Sequence, residues 1–147
     1  MTFREKILLA MLVAVLIFIP ILIIEIDKKI DFYQDQVITL NAGTYDTEVT
    51  VIVTADTEKA MQFVVENITT AVTSEDFNAS GTTFTDEEGN IIVWLSNAQD
   101  KGVVTHELLH ATVSIMLWAG IPFSESTEES YAYQLQYLTN QFYKQIK

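Results

Sequence analysis

Apolar and polar positions divide the chain into two unlike parts. Residues 7–24, ILLAMLVAVLIFIPILII, run for 18 positions without a polar side chain. As a helix this stretch is about 27 Å long, close to the thickness of a bilayer core. Glu25, Asp27, Lys28 and Lys29 follow it, with no small-residue cleavage pattern. The run therefore reads as an uncleaved membrane anchor over 7–26, behind a short flank at 1–6, rather than as a signal peptide. Pro20 fits a membrane helix better than a helix in a globular core. Arg4 and Lys6 precede the run and Lys28 and Lys29 follow it, so the basic residues that normally set topology are balanced. The side of the membrane stays open, with an extracytoplasmic domain preferred.

Residues 27–47 mix charged, polar and isolated apolar positions and read as a linker, with the folded domain over 48–147. Val49, Val51 and Val53 alternate with Thr50, Ile52 and Thr54, a period of two in β-branched residues that predicts a strand. Asp56 then offers an N-cap, and Ala60, Val64, Ile68 and Val72 recur at four-residue spacing, which predicts a helix with one apolar stripe. Two runs flank Asp86-Glu87-Glu88-Gly89-Asn90, at 81–85 and 90–95, and predict a hairpin. The stretch 103–118 is apolar at almost every helical spacing and predicts a largely buried helix. It ends at Ala119-Gly120-Ile121-Pro122, where glycine supplies a left-handed residue and proline forbids continuation. A last helix starts near 124–127 and carries Ala132, Leu135, Leu138, Phe142 and Ile146. The expected class is α+β, in the order strand, helix, hairpin, helix, helix.

Charge narrows the range of functions. Twenty acidic residues against eight basic ones give a net charge of −12. From residue 30 onward, 17 acids face only Lys59, Lys101, Lys144 and Lys147. That balance opposes binding to phosphate backbones, so no nucleic-acid partner is expected. The absence of cysteine excludes disulfides, thiol catalysis and thiolate-bound zinc, leaving nitrogen and oxygen ligands for any metal.

The helix over 103–118 contains His106-Glu107-Leu108-Leu109-His110, an HExxH motif that uses the only two histidines of the chain. Four-residue spacing puts both imidazoles on one helix face, where they can hold one Zn²⁺ while the glutamate contacts its water. Two polar rings in an apolar helix also need partners, which a metal would supply. Val113 and Met116 stand where a metzincin needs glycine and histidine, so that class is excluded. The acidic residues beyond the motif are Glu125, Glu128 and Glu129. Glu128 lies in line with the apolar stripe of the last helix. Glu129 could instead close a capping box with Ser126.

From Val103 onward the chain resembles the glutamate-type zincins, or gluzincins. In several of those families the ligand glutamate is followed three residues later by alanine or serine, the form of Glu129-Ser130-Tyr131-Ala132. Together with Thr105-His106-Glu107-Leu108-Leu109-His110-Ala111 and the Gly-Ile-Pro turn, this resembles small zincin-like peptidases found among bacteriophage and prophage proteins. The resemblance covers about residues 48–147. It implies a minimal zincin fold, Zn²⁺ held by His106, His110 and Glu129, and hydrolysis of a peptide or protein substrate. In that scheme a zinc-bound water attacks the peptide carbonyl with Glu107 as general base. In zincins the strand before the motif helix commonly carries the substrate. Its counterpart here, 91–95 with Trp94, is either that strand or an ordinary interior one. Tyr131, Tyr133 and Tyr137 are candidate donors to the oxyanion. The competing expectation is a membrane-tethered binding module of the same fold whose zinc is structural or vestigial.

Overall fold

The computed structural model describes residues 35–146 and the helical residue Phe18. The expected anchor at 7–26 lies outside the described residues apart from Phe18. Among the described residues no helix is long and apolar enough to cross a membrane.

Four strands form one mixed sheet: β1 Gln36–Asn41, β2 Glu48–Val53, β3 Gly81–Thr85 and β4 Ile91–Leu95, in the order β1-β2-β4-β3. Among the described residues from Asp35 onward, three α-helices and a 3₁₀ turn at Ser74–Phe77 accompany them: α1 Thr57–Asn67, α2 Lys101–Trp118 and α3 Glu128–Gln145. The class is α+β, and strand, helix, hairpin, helix, helix occur in the expected order. β2 and β4 run parallel, whereas β1 pairs antiparallel with β2 and β3 with β4.

The period of two in β2 distributes its side chains as expected. Val49, Val51 and Val53 join Ile91, Val93 and Leu95 under α2 and α3, where Val104, Leu108, Ile115, Leu138 and Phe142 complete the core. Ile52, Ile92, Trp94 and Phe84 face the other way, onto Ala60 and Val64 of α1. Every residue of β4 is buried, because helices cover both of its faces.

The boundary at 48 moves. Residues 36–41, read as linker, form β1, and the folded unit begins at Asp35. As an edge strand, β1 buries Leu40 and packs Ile38 partly against the core, too few apolar positions to stand out in sequence. Part of its outer side is covered by α3. The Gln145 amide donates to the Thr39 carbonyl (3.0 Å), while the Gln141 side chain donates to the Asn41 carbonyl (2.6 Å) and accepts from its N–H (3.2 Å).

Local stop and start signals set the helix ends. Asp56 caps α1 through the N–H groups of Glu58 and Lys59, and Asp100 caps α2 through those of Gly102 and Val103. Gly120, at φ +73°, ends α2, with Gly120 N–H on the Leu117 carbonyl and Ile121 N–H on that of Met116. This is a Schellman arrangement. The helix α1 stops before the expected stripe is used up, because Ile68 turns extended and Thr69 bonds to Asp86 through its N–H and hydroxyl.

Asp86 also accepts from the N–H groups of Glu88 and Asn90 and from the Asn90 side chain, so one carboxylate organises the β3–β4 turn and the exit from α1. Burial alone raises its pKa, but the donors from Asn90, Thr69 and Glu88 outweigh it and hold the group well below the usual carboxylate range. A depressed folded-state pKa contributes stability above the unfolded value of about 3.9, lost as pH falls through the folded value. The Asp86→Asn variant should therefore melt below the wild type at pH 7, with the gap narrowing below about pH 4. Thermal melts of both proteins between neutral and strongly acid pH check this.

Candidate active site on helix α2

The motif helix presents two different faces. Val104, Glu107, Leu108, Ala111, Thr112, Ile115 and Met116 turn inward, whereas His106 and His110 are exposed. The expectation of a largely buried helix thus holds for one face. Leu109, Leu117 and Trp118 are apolar yet exposed, so composition overstated how much of α2 is covered.

Exposure does not separate the histidines. Their rings meet edge to face with centroids 4.7 Å apart and Nε2 atoms 3.1 Å apart. Two nitrogens bound to a tetrahedral zinc at about 2.0–2.1 Å are about 3.3–3.4 Å apart, so the pair fits a shared zinc ion with a small adjustment. The third position is different. Glu128 and Glu129 both lie exposed in the first turn of α3, and among the described residues no group of three or more His, Asp or Glu side chains is placed to hold one metal. The capping box that offered Glu129 another role is not formed. Thr127, not Ser126, is the N-cap, and its hydroxyl is engaged with the Pro122 carbonyl and the Ser124 N–H.

Glu107 faces the sheet and is only 6% exposed. Its Oε2 lies 2.8 Å from the Thr83 hydroxyl, which also lies 2.9 Å from the Glu107 backbone carbonyl. Gly81 makes this approach possible: a Cβ there would lie 2.9 Å from Glu107 Cγ, 2.8 Å from Val103 Cγ1 and 3.1 Å from the Trp94 carbonyl. Glu107 and His110 share an open groove of about 340 Å³ with Gly81, Thr82, Thr83, Thr85, Val113 and Ser114.

That groove runs along an open sheet edge. Ser96 N–H bonds to the Ser80 carbonyl and Asp86 N–H to that of Asn90 at the two ends of the β3–β4 ladder. Antiparallel pairs alternate between bonded and non-bonded, so Thr82 and Phe84 bond inward to β4, while Gly81, Thr83 and Thr85 direct backbone N–H and C=O groups outward. The Thr85 carbonyl accepts from the Thr70 hydroxyl, while the one proton of the Thr82 hydroxyl has the Asp76 carbonyl at 2.6 Å and the Gly81 carbonyl at 2.8 Å in reach.

No family model, curated protein or solved structure matches this chain.

Two readings that the sequence left open are narrowed. The strand at 91–95 is interior, paired on both sides by β2 and β3, so the edge that can take an extended peptide belongs to β3. The three tyrosines do not line the groove of Glu107. The Tyr131 hydroxyl donates to the Ile121 carbonyl at 2.8 Å, and Tyr133 and Tyr137 line a separate groove with the 42–45 turn. The residue that sequence reading missed is Thr83. The alternation of Gly81, Thr83 and Thr85 against Phe84 was visible, but not which face of β3 meets α2.

Proposed function

We propose that the protein is a zinc-dependent peptidase of the HExxH type, attached to a membrane through residues 7–26. The observation that carries this reading is the groove in which the buried Glu107 carboxylate and the His110 imidazole lie along the open edge of β3. An extended peptide adding to that edge obtains main-chain hydrogen bonds from β3 and is brought alongside Glu107. His106 and His110 would hold the zinc ion, with Glu129 as third ligand and Glu128 as its competitor for that place. When bound, zinc supplies a Lewis acid that polarises the scissile carbonyl and lowers the pKa of water. Glu107 takes the proton of the attacking water and passes it to the departing amine. Its burial keeps the carboxylate in a fixed orientation instead of leaving it to sample solvent.

The full chain, purified with detergent present, should bind about one zinc per molecule and cleave members of a mixed peptide library, with cleavage stopped by a chelator. Glu129→Gln should weaken zinc by more than the 10–100-fold typical of losing an outer partner of a metal ligand, and Glu128→Gln should not. Metal titration of the two variants measures the difference. The reverse order transfers the ligand to Glu128, and zinc binding unaffected by either change overturns the glutamate-type assignment.

A second reading is favoured by one observation: among the described residues no third ligand is gathered beside the histidines. In it the same groove binds a peptide strand without cleaving it, and the zinc site is structural or vestigial, the missing ligand favouring the vestigial form. Peptide retained intact by the zinc-loaded chain selects this reading.

A further inference from the structure

We infer that Thr83 is a positioning residue that links the register of a bound peptide to the orientation of Glu107; this rests on the peptidase reading above. The Thr83 hydroxyl carries one proton and has two acceptors in reach, the Glu107 carboxylate at 2.8 Å and the Glu107 carbonyl at 2.9 Å. The carboxylate oxygen is the closer acceptor and receives the hydrogen bond. No other side chain among the described residues bonds to that carboxylate. The stem of Glu107 is fixed from the same strand, since it occupies the space where a side chain at position 81 would begin. Both ends of the general base therefore take their position from β3.

The backbone of Thr83 does a second thing. Its N–H and C=O point out of the sheet at the edge where an added strand would pair. The Thr85 carbonyl on one side already accepts from the Thr70 hydroxyl, and Thr83 lies between Gly81 and Thr85 at the centre of the outward-facing groups. One residue thus offers its main chain to the peptide and its side chain to the base. A peptide that bonds to Thr83 has its reacting carbonyl placed relative to Glu107 by the geometry of a single residue. Such coupling matters because a base displaced by about 1 Å can cost about a hundredfold in rate.

The test uses the zinc-loaded full chain and a peptide it cleaves. Thr83→Val preserves shape and strand propensity but cannot donate, while Thr83→Ser keeps the hydroxyl. The valine variant should lose on the order of 10–100-fold in kcat with KM unchanged. Its affinity for a non-cleavable analogue of the same peptide, measured by calorimetry, should match the wild type. Thr83→Ser should recover most of kcat. Wild-type kcat in the valine variant, a loss carried by KM, or a serine variant as slow as valine overturns the positioning role while leaving the peptidase reading intact. A wild-type chain that cleaves no peptide overturns both. Should Thr83→Val fail to fold, Thr83→Ala against Thr83→Ser makes the same comparison.

Discussion

Replacing Glu107 with alanine should reduce peptide hydrolysis by about 10²–10⁴-fold while zinc stays bound. The size follows from what a positioned general base contributes to a reaction in which water must lose a proton as it attacks. Zinc is retained because the imidazoles meet on the exposed face of α2, whereas Glu107 points to the sheet and bonds to Thr83. Measuring turnover and metal content on the same preparation separates the two roles. Full activity in the variant removes Glu107 from the chemistry, and loss of zinc together with activity makes the residue a ligand or a structural support. The Thr83 hydroxyl left by the truncation can still bond to the carbonyl of residue 107, already 2.9 Å away.

The largest effect on stability should come from Trp94→Ala, at about 3–5 kcal/mol. Trp94 is fully buried on the α1 side of the sheet, tilted against Phe77 with ring centroids 5.0 Å apart. Its indole N–H donates to the Thr54 carbonyl at 3.0 Å. Removing the ring leaves a cavity lined by Ile52, Phe77 and Phe84 and a buried carbonyl without its donor. Against a typical total of 5–15 kcal/mol, that loss takes the fold close to its limit. Chemical denaturation of wild type and variant gives the difference directly, and a change under about 1 kcal/mol contradicts the packing described for this face.

Sequence reading succeeded where the signal is local. The alternation in β2, the cap at Asp56 and the stop at Gly120 each depend on a few neighbouring residues, and each stands where expected. It failed where partners come from far along the chain. With Ile38 and Leu40 as its inward apolar side chains, β1 becomes a strand by pairing with β2 and by bonds to glutamines about a hundred residues away. The parallel insertion of β4 between β2 and β3 decides which strand is an edge, and no hairpin signal carries that. The HExxH spacing put the histidines together, but the inward turn of Glu107 depends on Gly81 and Thr83 across the sheet. The place of Glu129 depends on where α3 begins, four residues later than the earliest start expected.

The two edges of the sheet are not equally free to take another strand. Gln141 and Gln145 occupy the outward groups of Asn41 and the Thr39 carbonyl, so that end of β1 is blocked to a joining strand, whereas among the described residues β3 meets no such glutamines. A second copy of the chain joining there would occupy the same backbone groups as a peptide. Self-assembly through β3 and occupancy of that edge by a peptide would therefore exclude each other.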